Sequence, residues 1–276
     1  MRGERASRLP LLVAAGVIFG VLFLASLVAP DFVDTPLLDK GFEAPWEAPP
    51  FGRDDRGIPL HQYATQGAQI VLLPSLAAAF LVMALATLAG LVRCANVGWA
   101  DTAIQAFAEL VGSLPRLVVI LVVALMLPLN WKVLLPIALA WAILAAPGAM
   151  DEASAAAGRL GGARFVEALR AHGFSAWRIY LYHVVWLNLR SVLVRQGAEV
   201  MMQVVFLEIA LSYLAVSQNE PSFTHSDATY SWATLLYQGY TALLGEPLWH
   251  AMGLGLFLVA LVAAFAQVTR LAARPR

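Results

Sequence analysis

The chain has 276 residues, of which 60% are hydrophobic and only 13% carry a charge, and its mean hydropathy is +0.72. Soluble domains carry charged residues at about 25%, so this composition excludes an ordinary soluble fold. Basic and acidic residues balance at 18 each, which leaves no overall field to attract nucleic acid.

Six stretches of about 20 apolar residues, the length that crosses a bilayer as a helix, follow one another along the chain. They lie at residues 11–29, 70–92, 103–127, 131–149, 190–216 and 247–269. Backbone polar groups in lipid must be hydrogen-bonded within the segment, so we expect helices rather than strands. The predicted fold is therefore all-α, a polytopic membrane protein with six transmembrane helices, the first of them an uncleaved span.

These windows divide the chain into three parts. Residues 1–29 form an N-terminal tail and first transmembrane helix, residues 30–69 an external loop, and residues 70–276 a five-helix core. The core contains a cytoplasmic loop at 150–189 and a second external loop at 217–246. The first external loop is rich in Pro, Asp and Glu and has no sustained period, which predicts irregular structure with short helices.

Arginine sets the predicted orientation. Eleven arginines lie in the N-terminal tail, in alternate loops and in the C-terminal tail: Arg2, Arg5, Arg8, Arg93, Arg159, Arg164, Arg170, Arg178, Arg270, Arg274 and Arg276. The opposite segments hold only Lys40, Arg53, Arg56 and Lys132. By the positive-inside rule, both termini and the 150–189 loop are expected in the cytoplasm.

Ionisable residues inside the windows are functional candidates, because each is costly in lipid unless it faces a partner or water. The candidates, apart from charges at the window ends, are Glu109, Arg116, Arg195, Glu199 and Glu208. Glu109 and Arg116 are seven residues apart and would share a helix face, beside a kink at Pro115. Arg195 and Glu199 are four apart, close enough to pair. Two interpretations remain open: an internal ion-pair set that fixes helix packing, or direct contact with a transported solute.

A polar segment, RFVEALRAHGFSAWRIYLYHVVWLNL, runs from Arg164 to Leu189 between two apolar runs. Its pattern predicts a short amphipathic helix, a break at Gly173 and a second helix that leads into the 190–216 window. The first helix could dock on a partner protein through its apolar and charged side chains. Alternatively, it could rest on the inner leaflet with its arginines reaching lipid phosphates.

The second external loop contains Trp232, Tyr237 and Tyr240 at helical spacing. Aromatic residues with small polar neighbours predict a helix at the outer membrane interface. An aromatic belt that only anchors the fold is the other interpretation.

Motifs of catalytic chemistry are missing from the sequence. It contains no GxxxxGK[ST] phosphate loop, so the chain itself is not expected to bind nucleotide, and no HExxH, CxxC or GxSxG. The five histidines are scattered and the single cysteine, Cys94, has no partner for a disulfide within the chain. We therefore predict no catalytic residue, no metal ligand and no cofactor in this chain.

Four ordered stretches resemble the C-type permease subunit of dipeptide, oligopeptide and nickel ABC importers. PFGRDDRGIPLHQYATQGAQI at 50–70 is similar to the family's Pro-Leu-Gly-Thr-Asp, Gly-Arg-Asp and Gly-Ala-Arg run. The family's Glu-Ala-Ala-x-x-x-Gly signature corresponds to Glu167 through Gly173. LEIALSYLAVS at 207–217 and SWATLLYQG at 231–239 resemble its Glu-Ala-Ala-Leu-Ser-Phe-Leu-Gly and Ser-Trp-Gly stretches. The chain departs from the family at Leu169, where alanine is usual, and at Trp186, where proline is usual.

The resemblance implies one half of a translocation pathway for a small solute of the peptide, opine or nickel-chelate type. It implies that a coupling helix sits in a groove on an ATPase. The residues carried over to that role are Arg164, Phe165, Glu167, Ala168, Leu169, Arg170 and Gly173.

The partners that the resemblance implies are a homologous permease subunit, two ATP-binding subunits that hold ATP-Mg, and an extracytoplasmic solute-binding protein. The complex would lie in the lipid of a bacterial inner membrane and would not involve nucleic acid. A stand-alone ion-coupled transporter or channel is the alternative.

Overall fold

The computed structural model describes residues 2–28, 38–127, 134–159, 163–217, 231–242 and 249–272. These residues are mostly helical and contain no β-strand, which confirms the all-α prediction. The helices are α1 (Arg2–Val28), a short 3-10 helix (Leu38–Lys40), α2 (Leu60–Ala95), α3 (Gly98–Gly112), α4 (Arg116–Met126), α5 (Leu134–Arg159), α6 (Ala163–Ala171), a π-helix (Arg178–Leu189), α7 (Arg190–Ser217), α8 (Trp232–Ala242) and α9 (Trp249–Ala272).

Three of the described helices are long and apolar enough to cross a bilayer: Leu60–Ala95, Leu134–Arg159 and Trp249–Leu271. The bent pair α3 and α4 is a fourth candidate if it is counted as one broken span. By length and composition, the described part of the chain is therefore compatible with a membrane-embedded protein that has three or four spans.

The remaining two windows fall on α1 and α7. In α1 the apolar stretch is the shorter run Gly16–Val28. Helix α7 has 28 residues, but four of them are charged, namely Arg190, Arg195, Glu199 and Glu208. Its membrane placement therefore depends on how those charges are satisfied.

The 103–127 window is two helices rather than one kinked helix. Helix α3 ends at Gly112, α4 begins at Arg116, and the two are bent by 80°. Pro115 has no backbone N–H and disfavours helical geometry in the residue before it, so the chain breaks at this point. The expectation that Glu109 and Arg116 share one helix face is therefore wrong, since they lie on different helices.

The irregular structure predicted for 30–69 is confirmed at 41–59, where turns predominate, while 30–37 lies outside the described residues. The prediction is wrong for 60–69, because α2 already begins at Leu60. The predicted helix with Trp232, Tyr237 and Tyr240 is α8; the rest of the 217–246 loop lies mostly outside the described part.

The chain forms two compact units. The first comprises residues 1–75, 127–136 and 202–268, and the second comprises 76–126, 137–201 and 269–276. A buried core in the second unit contains Ala89, Ala146 and Met150. The small side chains of Ala89 and Ala146 let helices α2 and α5 pack closely.

Candidate functional site

Helix α6 presents a charged surface. Arg164, Glu167, Ala168 and Arg170 are exposed, whereas Val166 is buried and Leu169 is half-buried. The side chain of Phe165 lies outside the described part of the structure. This helix confirms the short amphipathic helix predicted from the sequence.

The turn after α6 is closed by backbone hydrogen bonds. The Gly173 N–H donates to the Arg170 carbonyl at 2.9 Å, and the Phe174 N–H donates to the Leu169 carbonyl at 3.2 Å. This pair of bonds is a Schellman motif, which satisfies the last carbonyls of a helix and requires a left-handed residue after its end. Gly173 fills that position with φ +80. The glycine break predicted from the sequence is therefore confirmed with its physical cause.

Side chains also hold the turn against the π-helix. The Arg170 Nη2 donates to the Tyr180 hydroxyl at 3.3 Å, and the Arg178 guanidinium lies 4.9 Å from the centre of the Phe174 ring. Phe174 in turn meets the His183 ring edge-on at 5.3 Å. Helix α6 is thus attached to the next helix at a fixed angle rather than tethered by a loose loop.

Replacing Gly173 by alanine is expected to destabilise this turn by about 1 kcal/mol, since an L-residue is strained in left-handed geometry. An added Cβ would meet nothing within 4 Å, so the cost is conformational alone. Gly158 in α5 is a matched control with equally open space and no positive φ, and G158A should be neutral or slightly stabilising. Thermal unfolding in detergent checks the pair; equal midpoints for the two variants would contradict the strain argument.

Two of the motif stretches meet in the first unit. Trp232 is fully buried, and its indole Nε1 donates to the Ala64 carbonyl at 3.2 Å. Its ring packs against Gly67, where an added Cβ would lie 2.8 Å from Nε1 and closer still to Cδ1. Gly67 and Trp232 are therefore the two halves of one packing contact.

Another of these stretches, residues 207–217, contributes Glu208 to the first unit. This carboxyl group is completely buried and accepts a hydrogen bond from Ser212 Oγ at 3.1 Å. The hydroxyl of Ser231 lies beside it. Glu208 Oε2 and Ser231 Oγ are both buried and have no hydrogen-bond partner among the described residues, so the polar network around this carboxyl group is incomplete.

The segment before α2 is organised by Asp54, which is fully buried. Its carboxylate accepts hydrogen bonds from the Ile58 N–H at 2.7 Å, the Arg56 N–H at 2.9 Å and the Tyr63 hydroxyl at 2.5 Å. The Arg56 Nη2 donates to the same Tyr63 hydroxyl at 2.9 Å. This network attaches residues 53–58 to the first turns of α2.

Two ion pairs join α7 to other helices. Arg195 pairs with Glu152 of α5, which also accepts a hydrogen bond from Gln196 Nε2 at 2.6 Å. Glu199 pairs with Arg270 of α9 at 2.8 Å. The sequence spacing predicts a pair between Arg195 and Glu199. In the structure, each of these residues forms an ion pair with a residue of another helix.

Glu152 and Arg270 were not among the residues singled out from the sequence. Glu152 is 44 positions from its partner Gln196, and Arg270 is 71 positions from its partner Glu199. No spacing pattern within one helix predicts contacts at such separations. Glu109 and Arg116 are both exposed, and no hydrogen bond or ion pair within the described part of the chain joins either of them to Arg195 or Glu199. Among the described residues, no group of three His, Cys, Asp or Glu side chains could hold a metal ion.

Comparison with known proteins found no matching family model and no curated protein that is significantly similar to the chain.

Proposed function

We propose that the chain is a permease subunit of a binding-protein-dependent ABC importer and forms half of the translocation pathway for a small solute. The observation that supports this proposal best is the closed turn after α6. A short charged helix is exposed there and is held at a fixed angle by the Schellman bonds of Gly173 and by the Arg170–Tyr180 contact. A partner that moves α6 would therefore also move the helix that follows it.

A rigid junction of this kind can transmit a movement of α6 to the helices that follow it. Two ATPase subunits that close on ATP-Mg would shift α6, and the shift would pass through the π-helix into α7 as a motion of rigid helices. The charged residues Arg164, Glu167 and Arg170 would face the ATPase, while Gly173 keeps the angle. The chain itself needs no nucleotide site for this role.

The proposal includes six spans in an inner membrane, with both termini and α6 in the cytoplasm. Helix α7 can serve as the fifth span because Arg195 and Glu199 have partners of opposite charge within the chain, and paired charges are tolerated inside a membrane. Glu208 is buried in protein and would not face lipid. A second permease, a solute-binding protein and two ATPases would complete the complex, and its solute would be a peptide, an opine or a nickel chelate.

The stand-alone ion-coupled transporter has less support. An ion path through Glu109, Arg116 and Glu199 would need a continuous row of these groups. Glu109 and Arg116 lie on helices bent by 80°, and Glu199 is held by Arg270.

The proposal is tested by isolating the tagged full chain from its native membranes in mild detergent. Polypeptides with a GxxxxGK[ST] loop should accompany it, together with MgATP hydrolysis. Orientation is read from A168C, because Ala168 is exposed whereas the native Cys94 is buried. An impermeant maleimide should label the variant in inverted vesicles only. Labelling from the outer face, or isolation of the chain without any ATPase, would rule out the proposal.

Reversing one charge on α6 should weaken ATPase association. E167K is expected to lower the amount of co-purified ATPase several-fold, because charge complementarity across an interface is lost and replaced by repulsion. D55K makes the same charge change at an exposed residue of the segment before α2 and should leave the association unchanged. Quantitative immunoblots of both complexes provide the measurement, and an equal loss in the two variants would argue against docking through α6.

A further inference from the structure

The π-helix and the residue before it carry a largely exposed apolar surface, which we call the aromatic stripe: Trp177, Leu181, Tyr182, the half-buried Val185 and Trp186. Trp177 is 75% exposed and Trp186 is 56% exposed. Together with Arg178, the stripe lines an open groove of about 780 Å³. An apolar groove of this size on a soluble surface would be a liability, so a partner is expected to cover it.

The winding of the helix creates the stripe. In the π-helix the Arg190 N–H bonds to the Val185 carbonyl, five residues back, and such bonding gives about 4.4 residues per turn. Trp186 follows Trp177 by nine residues, which is about two π-turns and places both indoles on one side. With 3.6 residues per turn, the same two residues would lie on opposite sides of the helix.

Two arginines, Arg178 and Arg190, border the stripe, and neither has an acidic partner among the described residues. The Arg178 guanidinium lies over the Phe174 ring, and the Arg190 guanidinium lies 5.2 Å from the centre of the Trp186 ring. Both are exposed, and among the described residues neither makes an ion pair. Between Glu167 and Glu199 the sequence contains no acidic residue at all. The surface therefore combines apolar area with uncompensated positive charge.

We propose that the aromatic stripe binds an anionic phospholipid, with acyl chain in the groove and phosphate at Arg178 and Arg190. Charge complementarity selects this occupant: a purely apolar partner would leave two guanidinium groups without a counter-ion, whereas a phosphate beside an acyl chain satisfies both features. Tryptophan, tyrosine and arginine are also the residues that suit the boundary between headgroups and acyl chains. The site is separate from the charged surface of α6 and does not depend on ATPase docking.

The test uses the full chain in mixed micelles that contain either phosphatidylglycerol or phosphatidylcholine with brominated acyl chains. Brominated phosphatidylglycerol should quench the fluorescence of Trp177 and Trp186 at a lower lipid fraction than brominated phosphatidylcholine. The contribution of these two among the eight tryptophans is isolated by comparison with W177F/W186F. The double variant R178Q/R190Q should lose the preference by about 5-fold for each arginine, equivalent to ~1 kcal/mol each.

The matched control is R116Q/R159Q, which removes two exposed positive charges on α4 and α5 and should keep the preference. An equal loss in this control would show a general charge effect and overturn the proposal. So would equal quenching by the two lipids in the wild type. Finally, a photo-crosslinking residue in place of Leu181 should attach to lipid in native membranes; attachment to a polypeptide would show that a protein covers the groove instead.

Discussion

Replacing Asp54 by alanine is expected to lower the free energy of unfolding by about 3–5 kcal/mol, one of the two largest effects anticipated for a single substitution in this chain. The carboxylate accepts from two backbone N–H groups and from the Tyr63 hydroxyl, all within 2.9 Å. Alanine would leave these donors buried without an acceptor, at about 1–3 kcal/mol for each donor that water does not reach. It would also leave the Arg56 guanidinium without its neighbouring charge.

The adjacent residue provides the control. Asp55 is exposed, and D55A should change stability by no more than about 0.5 kcal/mol, as is usual for surface positions. D54N should fall between the two, because an amide oxygen can still accept from the backbone. Chemical denaturation of the purified protein, followed by tryptophan fluorescence, gives all three values. If D54A were as stable as D55A, the network around Asp54 would not be what holds this segment on α2.

Replacing Gly239 by alanine is expected to force α8 and α9 apart and to destabilise the protein by about 1–3 kcal/mol or more. An added Cβ would lie 2.6 Å from the Met252 backbone nitrogen and 2.7 Å from its Cα, and closer to its Cβ. Backbone atoms have no alternative rotamer, so the whole helix has to shift. A small residue is therefore required where these two helices cross.

Two glycines of α9 provide controls with smaller expected effects. An added Cβ at Gly253 meets nothing within 4 Å, and one at Gly255 lies 3.0 Å from the end of the flexible Leu236 side chain. G253A should therefore be neutral or stabilising, and G255A should have a small effect. Unfolding midpoints in the order G253A, G255A, G239A, from highest to lowest, would support the crossing. A G239A midpoint equal to that of G253A would show that the two helices are not closely packed there.

Local features were predictable from the sequence where one residue or one period determines them. The helix–glycine–helix pattern at 163–189 was predictable because amphipathic spacing and Gly173 are both local signals. The start of α7 followed from where the apolar window begins, and α8 followed from the spacing of its aromatic residues. In each case the structure adds geometry, such as the φ of +80 at Gly173, to an element that was already expected.

Features that depend on distant contacts were not predictable. Pro115 signalled a kink, but the 80° bend also depends on what α3 and α4 pack against. The partners of Arg195 and Glu199 lie on α5 and α9, beyond the reach of any spacing rule. The π-helical winding of Arg178–Leu189 had no signal in the sequence, because the same residues are compatible with α-helical winding.

The backbone hydrogen bonds that close the turn after α6 leave most of the exposed side chains of that helix free of any structural role in the turn. Main-chain hydrogen bonds, one achiral residue and the Arg170–Tyr180 contact fix its geometry, so the other exposed side chains of α6 contribute little to holding the angle. Mutations on that outward surface can therefore accumulate without disturbing the scaffold beneath it. If the proposed ATPase docks on α6, the ATPase could change in evolution while the turn keeps its geometry. Chimaeras that exchange only the exposed α6 residues other than Arg170 would then re-pair subunits.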